Sequence, residues 1–140
     1  MGTIRKFLKS LLGDFGLDPE DLNSAVYRGD VAAVQEALTL HPELVNVKNE
    51  VGRTPLHYAA WRGHNEMISL LVSRGADINA ITDRGHTPLH LAVRRNYKET
   101  VALLIALGAN VNARTKRGHS PMHLASPPLA ALLRESGCLG

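Results

Sequence analysis

The sequence GRTPLH at residues 52–57 returns, with one change, as GHTPLH at residues 85–90. Each copy is followed at matching offsets by an alanine, a Leu-Leu pair, a Gly-Ala pair and an Asn-Ala pair, so every feature recurs 33 residues later. A third copy opens with GHSPMH at residues 118–123. Self-similarity at a fixed period of this size indicates units that stack, because one unit alone cannot bury its apolar face. We therefore expect an array of repeats.

The period and the Thr-Pro-Leu-His opening resemble the ankyrin repeat, and the resemblance covers nearly the whole chain beyond Asp18. It implies an all-α solenoid of four stacked helix-turn-helix units joined by short finger loops, in a repeat domain at residues 18–140. The expected units span residues 18–48, 49–81, 82–114 and 115–140. The outer two are degenerate: the first lacks the Thr-Pro-Leu-His opening, and the last has its Leu-Leu pair only 29 residues after the preceding pair, a loss of four residues.

Residue types within the units predict where helices begin and turn. Thr54 and Thr87 can each cap a helix whose first turn begins with proline, since proline's missing N–H does no harm there. Gly63 and Asn96 occupy the turn between paired helices, where a positive φ is expected. In the last unit, Ser126 is the expected cap of the final helix.

Residues 1–17 form a separate predicted element, an amphipathic helix. Two destinations for its apolar face are open: it docks on the exposed end of the stack as a cap, or it lies on an anionic membrane surface. We favour the cap because the helix is short and carries few charges. The apolar residues recur at helical spacing, at Ile4, Phe7, Leu8, Leu11, Leu12 and Phe15.

Composition is that of an ordinary globular protein, with 44% hydrophobic and 21% charged residues over 140 positions. No apolar run approaches the ~18 residues of a membrane span. A single cysteine, Cys138, cannot form an internal disulfide, and the first residues do not read as a secretory signal. We expect a cytoplasmic protein, and leave its oligomeric state open.

Three of the seven histidines, His57, His90 and His123, repeat with the period. Stacked helices lie about 8–10 Å apart, too far for equivalent histidines to share one zinc ion. The resemblance implies a structural role instead, with each imidazole hydrogen-bonded to the backbone of a neighbouring loop. Because the chain also lacks the motifs of nucleophilic, metal-dependent or nucleotide-binding enzymes, we expect no catalytic activity, no metal and no cofactor.

The resemblance also implies that partners lie against the fingers and the inner helices. By alignment, that surface holds ten of the 16 Lys and Arg residues but only two of the 13 acids. Its net charge is therefore +8, and the remaining residues together carry −5. An ordinary solvated surface mixes the two signs. The expected partner-binding residues are Tyr27, Arg53, Trp61, Arg62, Arg84, Arg94, Arg95, Arg114, Lys116 and Arg117.

We therefore interpret the chain as a non-catalytic protein-interaction module, an adaptor or scaffold, that recognises an acidic protein segment. Arginine predominates over lysine on this surface, which favours carboxylate or phosphate recognition by paired hydrogen bonds. Two alternatives remain open: binding of a polyanion such as nucleic acid by the same surface, and a peripheral membrane adaptor that uses residues 4–15.

Overall fold

The computed structural model describes residues 19–138. The predicted amphipathic helix of residues 1–17, with its face of Ile4, Phe7, Leu8, Leu11, Leu12 and Phe15, lies outside the described residues.

Seven α-helices and two short 3-10 segments make up the regular structure of residues 19–138, which contain no strand. The inner helices α1, α3 and α5 pack side by side, as do the outer helices α2, α4 and α6. This arrangement confirms the all-α repeat stack. The helices are α1 (Pro19–Arg28), α2 (Val31–Leu40), α3 (Pro55–Arg62), α4 (Asn65–Ser73), α5 (Pro88–Arg94), α6 (Lys98–Ala106) and α7 (Pro127–Glu135), and the 3-10 segments are Pro42–Asn46 and Pro121–Leu124.

The core runs through the whole stack between the two rows of helices. On α3, Leu56, Ala59 and Ala60 are fully buried, as are Leu89 and Ala92 on α5. Small alanines on the facing sides allow the inner helices to pack at the density of a protein interior. None of the helices in the described part of the chain is long and apolar enough to cross a membrane.

The predicted starts and turns of the two full units are confirmed. The backbone N–H of His90 donates to Thr87 Oγ1 (3.3 Å), while the Thr87 N–H donates to His90 Nδ1 (3.1 Å), a reciprocal cap in which histidine takes the usual place of Glu or Gln. Gly63 and Asn96 turn the chain between paired helices with φ of 67° and 60°.

The last unit differs from the expected helix pair. Its first helix is reduced to the 3-10 turn Pro121–Leu124, followed directly by α7. Four lost residues exceed one helical turn, and Pro127 cannot donate the backbone hydrogen bond that a continued helix requires. Ser126 is the N-cap residue of α7, as expected, but its side chain makes no capping hydrogen bond: its hydroxyl donates to Asn96 Oδ1 (2.8 Å).

Three loops, which we call the first, second and third fingers, lead from one unit to the next at residues 47–53, 80–86 and 113–119. Adjacent fingers are joined by backbone hydrogen bonds, from the Asp83 N–H to the Val51 carbonyl (3.0 Å) and from the Lys116 N–H to the Arg84 carbonyl (3.1 Å). Glycines with positive φ allow both approaches: a Cβ at Gly52 would lie 2.8 Å from the Asp83 nitrogen, and one at Gly85 would lie 2.9 Å from the Lys116 nitrogen. The fingers therefore form a continuous ribbon along one edge of the stack.

Candidate protein-binding face

The ten basic residues selected from the sequence all have exposed side chains, on the inner helices or on the fingers. We call this set the basic face. Its ten side chains carry a charge of +10, and the two acids on the same surface, Glu50 and Asp83, reduce the net charge to +8. Its members are Arg28, Lys48, Arg53, Arg62, Arg84, Arg94, Arg95, Arg114, Lys116 and Arg117.

Two arginines of the basic face lie over aromatic rings of the preceding unit. The Arg62 guanidinium is 4.5 Å from the centre of the Tyr27 ring, and the Arg95 guanidinium is 4.7 Å from that of Trp61. Arg95 also donates to the Tyr97 hydroxyl (2.9 Å). Such contacts restrict the guanidinium groups without neutralising their charge. Tyr97 was missed in the sequence because its partner comes from the turn beside it rather than from the repeat pattern.

Arg53, Arg84 and Arg94 border one cavity of about 460 Å³ between the first and second fingers. We call it the inter-finger cavity. Within the described chain, none of the three arginines lies within 4.0 Å of a carboxylate oxygen. The cavity is lined by Val51, Arg53, Thr82, Asp83, Arg84, His86, Leu91 and Arg94.

All three arginines act electrostatically on His86, which lines the same cavity. Partial burial lowers the pKa of His86, and the charges of Arg94, Arg84 and Arg53 lower it further, in that order. The imidazole is therefore neutral at pH 7, beside three permanently charged guanidinium groups. Sequence reasoning assigned no role to His86, because only the packed fingers bring Arg53 and Arg94 to it.

The amino-acid sequence matches a family model described as "Ankyrin repeats (3 copies)" over residues 5–82, 22–115 and 80–137. The chain belongs to the ankyrin repeat family. Ankyrin repeats are generally protein–protein interaction modules.

Two relatives illustrate the range of proteins that carry similar repeats. E3 ubiquitin-protein ligase XBAT32 of Arabidopsis thaliana is 39% identical over 77 residues, which cover 53% of this chain and 15% of the ligase. Ankyrin repeat domain-containing protein 49 of Bos taurus is 38% identical over 58 residues, which cover 41% of this chain and 24% of that protein. The matched regions make up a quarter or less of the length of these relatives. The similarity therefore shows that the repeats are shared.

Other basic side chains of this ankyrin stack are already bonded within or between fingers. Lys48 Nζ donates to the Ile81 carbonyl (2.9 Å), and Arg114 Nη1 donates to the Gly118 carbonyl (2.8 Å). Lys116 and Arg117 are exposed on the third finger but do not line the inter-finger cavity. The structure therefore divides the predicted binding residues into those that border the cavity and those that surround it.

The expected role of the ankyrin histidines is confirmed in the two full units. His57 Nε2 donates to the His86 carbonyl (2.9 Å), and His90 Nε2 donates to the His119 carbonyl (3.0 Å). The same expectation is wrong for His123, which has no following finger and is exposed, its ring stacked on His119 at 4.3 Å between centres. Among residues 19–138, no group of three or more His, Cys, Asp or Glu side chains is arranged to hold a metal ion.

Proposed function

We propose that this chain is a non-catalytic adaptor or scaffold module that recognises an acidic segment of a partner protein through the basic face. The observation that carries the proposal is the convergence of Arg53, Arg84 and Arg94 on one cavity without carboxylate partners in the described chain. On an ordinary solvent-exposed surface, charged side chains are normally interspersed with side chains of the opposite charge.

Electrostatics explains why this arrangement favours an anionic ligand. Charges on neighbouring units lie close to the ~8 Å Debye length of physiological solution, so their fields add. A carboxylate that enters the cavity gains charge-assisted hydrogen bonds and relieves the repulsion between the guanidinium groups. Tyr27, which is 41% exposed beneath Arg62, adds a flat apolar contact of the kind enriched at binding hot spots.

The test compares two charge reversals of equal size. A fluorescein-labelled peptide of alternating Glu and Ser residues is titrated with wild-type protein and with an Arg84→Glu, Arg94→Glu double variant, and binding is followed by fluorescence anisotropy. The matched control is Lys98→Glu with Arg134→Glu, which changes exposed charges by the same amount outside the basic face. We expect the first pair to weaken binding about tenfold or more, and the control to change it less than about threefold.

Equal losses in both variants would show that only net charge matters and would refute the proposal. A single-stranded oligonucleotide of the same charge is titrated in parallel at several salt concentrations. If the oligonucleotide binds more tightly than the peptide at physiological salt, with the steep salt dependence of phosphate neutralisation, the protein-segment proposal is wrong and polyanion binding replaces it.

A further inference from the structure

The inter-finger cavity presents more hydrogen-bond donors than one carboxylate can use. Each guanidinium carries five N–H donors in a fixed fork, whereas one carboxylate offers two oxygens with about four lone-pair sites in all. A phosphoryl group has three acceptor oxygens and a charge of about −1.5 to −2 at pH 7. Arg53, Arg84 and Arg94 together match that second kind of ligand.

The charge of the lining leads to the same ligand class. Three guanidinium groups and the carboxylate of Asp83 give the inter-finger cavity a net charge of +2. A phosphate dianion would neutralise it fully, whereas one carboxylate would leave an unbalanced positive charge. His86 adds a neutral ring with no hydrogen-bond partner among the described residues, so it can donate to or accept from a phosphoryl oxygen.

The cavity walls are already in place without a ligand. The Asp83 N–H donates to the Val51 carbonyl (3.0 Å), which ties the second finger to the first. His57, buried in the core, holds the His86 carbonyl (2.9 Å) and so fixes the segment that bears the His86 ring. A preformed site loses little conformational entropy on binding.

An apolar border adds a second element of specificity. Val51, 49% exposed, lines the inter-finger cavity together with the largely buried Leu91. Contact with an apolar side chain of the ligand would remove this exposed aliphatic surface from water, which lowers the free energy of binding. We therefore propose that the inter-finger cavity binds one phosphoserine or phosphothreonine side chain of a partner segment, next to an aliphatic residue. This inference rests on the proposed function and specifies its ligand.

The experiment uses small probes, N-acetyl-O-phosphoserine N-methylamide and N-acetylglutamate N-methylamide, titrated into isotopically labelled protein and followed by NMR. We expect the phosphorylated probe to shift the resonances of Arg84, His86 and Arg94, and to bind about tenfold or more tightly than the glutamate probe. Equal affinity of the two probes, or shifts located elsewhere on the protein, would overturn the assignment.

Two double variants with the same loss of charge then locate the site. Arg84→Gln with Arg94→Gln removes two arginines from the cavity, and we expect it to weaken binding of the phosphorylated probe about tenfold or more. Lys98→Gln with Arg134→Gln, on α6 and α7 and outside the basic face, is expected to cost less than about threefold. All four side chains are exposed, so both variants should fold, as circular dichroism can verify. Equal losses in the two variants would contradict the assignment.

The phosphate assignment and the broader function fail in different ways. If the phosphorylated probe does not bind but the Glu-Ser peptide does, and the Arg84→Glu, Arg94→Glu variant loses that peptide, the phosphate assignment alone is wrong. If neither ligand binds to the wild-type protein, the proposed function is wrong as well.

Discussion

Acid should destabilise this protein through His57 at pH values where an exposed histidine would be harmless. His57 is fully buried, its Nε2–H donates to the His86 carbonyl (2.9 Å), and its Nδ1 accepts the Thr54 N–H (3.1 Å). A second proton would have to go on Nδ1, where it would face that N–H. Burial, reinforced by the charges of Lys48 and Arg53, lowers the pKa of His57 to about 4, although its hydrogen bond to the His86 carbonyl opposes the shift.

The direction and size of the effect follow from proton linkage. Between pH 6.5 and pH 4 the unfolded chain binds a proton at His57 that the folded chain does not, so stability falls as the pH falls. With a pKa of about 4 in the folded chain and about 6.5 in the unfolded chain, His57 costs about 2 kcal/mol of stability by pH 5 and about 3 kcal/mol by pH 4.

The assay is urea unfolding at pH 7 and at pH 5, followed by far-UV circular dichroism, for wild type and His57→Gln. Glutamine suits this position because the reciprocal cap normally uses Glu or Gln, and it does not titrate. We expect the variant to be less stable at pH 7 but to lose about 2 kcal/mol less than wild type on acidification. Carboxylates contribute equally to both proteins and cancel in the comparison. Identical losses would refute the assignment of a neutral, buried His57.

Two further predictions concern the fingers and the aromatic contacts. Gly85→Ala should lower the free energy of unfolding by at least about 1 kcal/mol more than Gly118→Ala. Both glycines have φ near +80°, but of the two only Gly85 faces the backbone of the next finger, at 2.9 Å. Urea unfolding measures the difference, and equal costs would contradict the close approach. Arg95→Ala should increase acrylamide quenching of Trp61 fluorescence, because it removes the guanidinium group that lies 4.7 Å from the centre of that ring. Arg94→Ala should leave the quenching unchanged. Equal quenching in the two variants would exclude the stacking.

Local features of the fold were predictable because short-range interactions determine them. The four-residue sequence Thr-Pro-Leu-His specifies a helix start, as the Thr54 and Thr87 caps show. The turn at Asn96 was predictable for a similar reason, since asparagine is the non-glycine residue that best tolerates a positive φ.

The inter-finger cavity could not be predicted at the same level. The resemblance to ankyrin repeats placed Arg53, Arg84 and Arg94 on one face, but their convergence depends on how the second finger pairs with the first and on the direction of each side chain. Arg114 illustrates the opposite outcome: it occupies an equivalent surface, yet it donates to the Gly118 carbonyl of its own finger. Hydrogen bonds of this kind have no signature in residue spacing.

The shortened C-terminal unit was predictable only in part. Residue spacing revealed a loss of four positions, but it did not show that the loss would replace an α-helix with the 3-10 turn Pro121–Leu124. A helical turn contains 3.6 residues, so the deletion removes more than one full turn from a helix that is only about two turns long in the two full units. What remained was too short for a second hydrogen-bonded turn.

The reduced first helix of that unit also affects where the stack should fray. In a repeat array, stability is approximately a sum over neighbouring interfaces, so an end unit with a weak interface opens first while interior units exchange their amide hydrogens slowly. The inter-finger cavity lies between the second and third units, whose inner helices α3 and α5 pack directly on each other. Fraying at Pro121–Leu124 can therefore leave the packing of α3 on α5 in place, but it can reach the cavity through the third finger, whose Lys116 N–H donates to the Arg84 carbonyl (3.1 Å).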